Sequence, residues 1–342
     1  MLVKMTRCMK TPIRSICVAV TAVLLCLGVF LTLGSTRTAF VPLNPTNKDS
    51  FQTQISPDID STKITIEETG KYAETERRQQ KTQEKIRKYC QKYDSNLTLP
   101  KLENFFAIDS PPLLYCLMPK SASRQWRGLL SRLNNRKRLS EPQFNATDVD
   151  HYLSKSYKFT FVREPFERLL SAYKDKFITR RAFDRSLLKY YGTKILHHFR
   201  PKVTKQSMEA LDDITFPEFV EYIIKEGVHE GFDRHWNTYE EQCNPCLIKY
   251  DFIGRYEFLA EDGNYVLEKA GENRVQFPKE KPFDTRSELL NYYSKIPLEW
   301  ILELGRVYRS NFEMFGYAFP GPLEPLFQNA TRSKAPKDST KK

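Results

Sequence analysis

From Ser15 to Thr36 the chain carries no charged residue, and this stretch, SICVAVTAVLLCLGVFLTLGST, is mostly aliphatic. Roughly 20 such residues span a bilayer as a helix, because a helix satisfies its own backbone polar groups where no water can. Lys4, Arg7, Lys10 and Arg14 precede the run and only Arg37 follows it closely. The positive-inside rule therefore keeps the N-terminus cytosolic and sends the rest across. A cleaved signal peptide is the rival, and Thr32 to Thr36 could mimic a cleavage site, but its apolar run is usually about 7–15 residues. The run predicts a single-pass type II membrane protein with a cytoplasmic tail over 1–14, a signal-anchor helix over 15–36 and a lumenal remainder.

Two independent patterns agree with that topology. Asn96, Asn145 and Asn329 each open an Asn-x-Thr glycosylation acceptor, and all three fall on the lumenal side. Cys8, Cys17 and Cys26 lie in the tail and span, which leaves Cys90, Cys116, Cys243 and Cys246 beyond it. An even set suits an oxidising compartment, where about three pairings are open to four cysteines. The expected pairs are Cys243–Cys246 and Cys90–Cys116. A zinc site is the weaker reading of Cys243-x-x-Cys246, since a structural zinc wants about four ligands.

Residues 37–99 read as a stem. Apolar residues are sparse there, and Glu67 to Lys92 is charged, helical in propensity and without a broad apolar face, so it is expected to space the body from the membrane. From about residue 100 strand and helix signals alternate, which argues for an α/β body around a parallel sheet over 100–320. Leu113–Met118 and Tyr157–Val162 are short apolar runs suited to buried strands, and Tyr250–Ile253 is a third. Helices are predicted over Trp126–Leu133, Phe166–Phe177, Phe216–Ile224, Asn264–Ala270 and Pro297–Phe315. The polar tail over 321–342 is expected to be disordered after Pro325.

The whole chain has 54 Lys+Arg against 42 Asp+Glu, a net charge of +12. Five of the basic residues and no acid precede residue 38, so the remainder still carries +7. That balance favours a polyanionic partner such as a phosphate, an acidic glycan or nucleic acid. Two strand-to-helix corners could supply the site. The first is Pro119-Lys120-Ser121-Ala122-Ser123-Arg124-Gln125-Trp126. Free N–H groups at a helix start bind phosphate readily, and Lys120, Ser121, Ser123 and Arg124 add donors. The Gly-x-x-x-x-Gly-Lys pattern of a Walker A loop is absent. The second is Phe161-Val-Arg163-Glu164-Pro165-Phe166-Glu-Arg168-Leu-Leu-Ser171-Ala-Tyr173, where an Arg fork and a hydroxyl two helical turns on could grip one phosphate.

Together these segments resemble the 5′- and 3′-phosphosulfate-binding motifs of the Golgi carbohydrate sulfotransferases, most of all the chondroitin and dermatan N-acetylgalactosamine 4-O-sulfotransferase branch. The similarity runs over roughly 105–318 and takes in Tyr191–Ile195, Asp212–Phe219, His235-Trp236, Cys243–Cys246, Tyr250–Gly254 and Phe312–Tyr317. It implies a P-loop-like sulfotransferase fold in a Golgi membrane enzyme. The implied reaction is sulfuryl transfer from 3′-phosphoadenosine 5′-phosphosulfate to a sugar hydroxyl, with no metal and no nucleic-acid partner. By resemblance Pro119 to Trp126 line the 5′ end of the donor, with Lys120 on the bridging oxygen and Ser123 with nearby N–H groups on the 5′-phosphate. Arg163, Glu164, Pro165, Phe166, Arg168 and Ser171 line the 3′ end, with Arg163 and Ser171 on the 3′-phosphate. One departure stands out: the family pattern is Pro-Lys-x-Gly/Ala-Cys-Thr/Ser-Asn-Trp, so its hydroxyl falls at Arg124 here and its Cys at Ser123.

The acceptor hydroxyl needs a general base, and among His151, His197, His198, His229 and His235 the candidate is His235. Glu164 is a weaker rival. Arg180, Arg181, Lys189, Lys194, Arg200 and Lys202 would suit a uronic-acid-containing glycosaminoglycan, or another N-acetylgalactosamine-containing glycan, as acceptor. Two other classes share the topology. One is a glycosyltransferase with an Asp-x-Asp metal site at Asp148 and Asp150. The other is an inactive glycan-binding relative, if Arg124 destroys donor binding.

Overall fold

The computed structural model describes residues 70–93, 102–133, 137–139, 145–179, 185–227, 233–279 and 285–334. The expected cytoplasmic tail over 1–14, the apolar run over 15–36, Asn96, Arg180, Arg181 and His229 lie outside these residues. Among the described residues no helix is long and apolar enough to cross a membrane.

Two apolar runs decide the centre of the fold. Leu113–Cys116 (β2) and Tyr157–Val162 (β4) pair in parallel, with Cys116 beside Thr160. Phe252–Arg255 (β5) pairs in parallel with β4, and Gly254 is required there because a Cβ would fall 2.4 Å from the Phe161 ring. The other side of β2 is antiparallel: Phe105–Ile108 (β1) pairs with it, and the two-residue Lys137–Arg138 (β3) pairs with β1. The sheet, in the order β3-β1-β2-β4-β5, is therefore mixed rather than wholly parallel. The antiparallel edge was missed because Phe105–Ile108 is only four residues long and joins β2 through a short connection.

Alternating side chains send Phe106, Tyr115, Phe159, Phe161 and Phe252 to one face and Phe105, Ala107, Leu114, Val162 and Ile253 to the other. Trp126, fully buried on the first face, packs on Tyr115, Phe159, Phe161 and Phe277. The opposite face is covered by Ala73–Lys92 (α1) together with Met314 and Phe315. Read as a standoff stem, α1 is instead part of the body. It buries Thr75, Thr82, Ile86 and Tyr89, and polar groups finish the joint: Arg78 to Asp262 at 2.9 Å, Gln83 to the Tyr250 carbonyl at 2.9 Å and Tyr89 to Glu240 at 2.9 Å.

The disulfides are Cys90–Cys246, which staples α1 to the body, and Cys116–Cys243, which ties the end of β2 to the helix Tyr239–Cys243. The expected Cys243–Cys246 and Cys90–Cys116 pairs are thus exchanged. Asn244, in the left-handed region at φ 35°, turns the chain between the two neighbours, so one cysteine meets the sheet and the other meets α1.

The predicted helix after β4 is Pro165–Tyr173, continued by a π-helical turn over Lys174–Ile178. Pro297–Phe315 is two helices, Leu298–Val307 and Arg309–Phe315, that meet at Tyr308. The segment expected to be disordered after Pro325 is a helix over Glu324–Lys334, preceded by the buried Leu323, with Leu326 and Phe327 packed on the helical core. Asn145 and Asn329 are both exposed, the latter within that helix. Asp148 closes a capping box with Asn145 at the start of the helix Ala146–Lys155, which accounts for its carboxylate without a metal role.

Candidate functional site

Parallel pairing of β2 with β4 puts the carboxyl ends of both strands at one edge of the sheet, so the two corners predicted from sequence leave the sheet side by side. In open α/β sheets this edge is where ligands bind.

The first corner turns sharply. Lys120 at φ 71° and Ala122 at φ 63° both adopt the left-handed region, and Ala122 is the N-cap of the helix Ser123–Leu130 with no side chain capping it. A helix start without a side-chain cap has N–H groups to offer an anion. Lys120 folds inward, its side chain 8% exposed, onto Asp175 at 3.2 Å. The same carboxylate receives Arg124 at 2.7 Å and Lys176 at 3.4 Å. Burial pushes the Lys120 ammonium down to about 8, with Asp175 opposing the drop. Asp175 is held below the usual carboxylate range because Lys120, Lys176 and Arg124 outweigh its burial. Three cations around one carboxylate leave a local excess of positive charge beside the uncapped helix start.

The second corner meets the first through its guanidinium groups. Arg163 is 2% exposed, donates to Thr285 at 2.5 Å and to the Lys120 carbonyl at 3.4 Å, pairs with Glu167 at 3.5 Å and stacks on Tyr256. Arg168 is as deeply buried. It donates to the carbonyls of Pro119 at 3.1 Å, Asn237 at 2.7 Å and His235 at 3.4 Å, so one side chain joins both corners to the His235 turn. Ser121, expected to face the donor, is fully buried with its hydroxyl 2.6 Å from that of Tyr239, and Tyr239 also accepts the Arg163 N–H at 3.1 Å. Trp126, Pro165 and Phe166 belong to the core, Ser171 is 9% exposed on Pro165–Tyr173, and Ser123 and Gln125 are half-buried. Glu164 caps that helix by accepting the Glu167 N–H at 2.7 Å, and burial pushes its carboxyl up to about 8. That cap commits one of its carboxyl oxygens to the helix start.

His235 sits 2.6 Å through Nδ1 from Asp233, half-buried, on the turn that Arg168 holds. Burial lowers its pKa below the ordinary histidine value, with Asp233 opposing. Of the basic residues expected to meet a glycan, Lys189 and Lys202 are exposed, as are His197 and His198. Arg200 is engaged internally by Glu218 and Asp213, both at 2.6 Å.

The site therefore has the donor set for an anionic ester: a lysine in a tight turn, an uncapped helix start and, within one hydrogen bond, a buried arginine. These features define an α/β protein built to hold a phosphate- or sulfate-bearing ligand at the carboxyl ends of parallel strands. The chain belongs to the sulfotransferase family, whose sequence profile matches residues 103–318. It is 36% identical over 251 residues to carbohydrate sulfotransferase 11 of Mus musculus, covering 67% of this chain and 71% of that one. It is 33% identical over 237 residues to carbohydrate sulfotransferase 14 of Danio rerio, covering 64% and 63%. It is also 33% identical over 250 residues to carbohydrate sulfotransferase 10 of Xenopus laevis, covering 64% and 68%. No solved structure matches.

Sequence reasoning missed Asp175, Lys176, Asp233 and Tyr239. Asp175 and Lys176 lie one helical turn beyond Ser171, just past the end of the second corner at Tyr173, and the left-over charges of that helix were their only signal. Tyr239 carried none, because its two partners are 76 and 118 residues away.

Proposed function

We propose that the chain is a carbohydrate sulfotransferase that uses 3′-phosphoadenosine 5′-phosphosulfate as donor and position 4 of N-acetylgalactosamine in chondroitin or dermatan as acceptor. The observation that carries this reading is the Lys120–Arg124 turn at an uncapped helix start, bonded to Arg163 across adjacent parallel strand ends. The donor supplies an activated sulfuryl group whose transfer leaves negative charge on the departing phosphate oxygen. Lys120 holds a positive charge at that oxygen, and a preorganised cation in a dry site is commonly the largest catalytic term. The N–H groups at the start of Ser123–Leu130 and the Arg124 guanidinium hold the 5′-phosphate. Arg163 and Ser171 serve the 3′-phosphate. His235 takes the acceptor hydroxyl proton on Nε2. We place the protein in the Golgi membrane through residues 15–36, with the catalytic body on the lumenal side.

A radiolabelled sulfate transfer assay on desulfated chondroitin, dermatan and heparan, followed by disaccharide analysis, tests this. Label at position 4 of N-acetylgalactosamine is expected, and no label on any acceptor sinks the proposal. The Arg124–Asp175 pair favours one second reading, an inactive relative whose donor site is closed by its own carboxylate. A thermal shift with adenosine 3′,5′-bisphosphate separates the two, because a ligand that binds the folded state raises the midpoint.

The pH dependence follows from the same groups. Lys120 is charged below about 8 and loses its charge above it. His235 must be neutral to act as a base, and burial holds its pKa below the ordinary histidine value. Activity should therefore hold on a plateau between those limits and fall on both sides. Lys120→Arg, whose charge persists, should push the alkaline limb to higher pH. If that limb stays in place, the titrating group is not Lys120.

A further inference from the structure

Every backbone carbonyl from Asp233 to Asn237, the turn that carries His235, accepts a hydrogen bond. The Asp233 carbonyl accepts the N–H groups of Trp236 at 3.0 Å and Asn237 at 2.9 Å. The Arg234 carbonyl accepts Gln242 at 2.5 Å, the His235 carbonyl accepts Arg168 at 3.4 Å, the Trp236 carbonyl accepts Tyr308 at 2.8 Å and the Asn237 carbonyl accepts Arg168 at 2.7 Å. Five consecutive carbonyls thus have a donor each, and Trp236 anchors the turn with no exposed surface. On this fixed frame one Asp233 oxygen pairs with His235 twice, with its backbone N–H at 2.9 Å and with ring Nδ1 at 2.6 Å.

We propose that Asp233 is a positioning residue for the transfer reaction: its carboxylate pins His235 as the Nδ1–H tautomer and leaves Nε2 as the proton acceptor. The proposal rests on the reading of His235 as the general base. Two bonds to one oxygen fix both the ring rotation and which nitrogen carries the hydrogen, since an ionised carboxylate can only accept. When Nε2 takes a proton the ring becomes a cation, and Asp233 lies beside it to stabilise that charge. Lys176 and Arg234 also act on the ring, and both are positive and oppose its protonation, whereas Asp233 stabilises the charged ring. The same logic makes an aspartate behind a histidine effective in hydrolases.

The test uses the full chain purified in detergent, as wild type, Asp233→Asn, Asp233→Ala and His235→Ala, with ring-¹⁵N-labelled histidine. The ¹⁵N spectrum of His235, assigned by its loss in His235→Ala, should report the Nδ1–H tautomer in the wild type and a shift toward Nε2–H in Asp233→Ala. In both Asp233 variants kcat should fall at least about tenfold, a part of the roughly 100- to 10,000-fold that a general base contributes, while the donor KM stays within about twofold. Asp233→Asn keeps the shape and both acceptor contacts, so it reads the charge alone if the alanine variant fails to fold. If His235→Ala abolishes turnover but the Asp233 variants keep wild-type kcat, or Asp233→Ala keeps the wild-type tautomer, the positioning role is overturned and the base assignment stands. If His235→Ala turns over normally, the base assignment falls and the role of Asp233 falls with it.

Discussion

Lys120→Ala is expected to lower kcat by about a thousandfold, roughly 4 kcal/mol of transition-state stabilisation, without lowering the thermal midpoint. The two halves of that expectation come from the same burial. An ammonium 8% exposed acts on a developing charge with little water between, so its removal should be costly to the reaction. The same burial drags its pKa from 10.5 to about 8, which means that the fold tolerates the charge rather than gaining from it. Between pH 8 and 10.5 the unfolded chain holds the proton that the folded chain releases, so the wild type should gain stability as pH rises through that window. Alanine abolishes this dependence along with the charge, and Asp175 keeps Arg124 and Lys176 as partners. Stopped-assay turnover and a thermal melt on the same preparation check both halves. Near-normal turnover removes Lys120 from the mechanism, whereas a collapsed midpoint would make the loss of activity a folding effect.

The parts of this fold legible in the sequence are those whose signal is local. Tyr157–Val162 was read with its observed limits because a six-residue apolar strand followed by Pro165 at the first turn of a helix leaves little choice. The first corner was legible for the same reason, a strand stopped by Pro119 before an amphipathic helix. What stayed hidden depends on distant partners. The α1 seam is two threonines, an isoleucine and a tyrosine, finished by Arg78, Gln83 and a disulfide, and a scale of hydrophobicity sees none of those as a buried face. The cysteines were countable, but their pairing turned on the direction in which a left-handed Asn244 sends the chain. The donor motifs were found as strings, yet a string cannot tell Arg163 and Arg168, with buried guanidinium groups, from Arg124, whose side chain is 57% exposed.

That difference gives Arg168 the second large expected effect. By resemblance it belongs with the donor cradle, yet the residue is 2% exposed and its guanidinium meets the carbonyls of Pro119, His235 and Asn237. It also lies 5.1 Å from the Tyr239 ring centroid. These partners lie on the Lys120 turn, on the His235 turn and on the helix Tyr239–Cys243, whose Tyr239 hydroxyl meets Ser121. Arg168→Met removes the donors and keeps much of the volume, so the main loss is the hydrogen bonds to two buried carbonyls, of Pro119 and Asn237, and to the part-buried carbonyl of His235. Each such group costs about 1–3 kcal/mol, less what water or rearrangement recovers. A total of about 3–5 kcal/mol would lower the midpoint by about 10 °C in a body of this size. Lysine should rescue little, because one ammonium cannot reach three carbonyls that a planar fork spans. The melt is run without donor, so a ligand role contributes nothing to it. A variant that melts like the wild type but binds adenosine 3′,5′-bisphosphate weakly would show that Arg168 serves the nucleotide directly, and that the two corners are held together by something else.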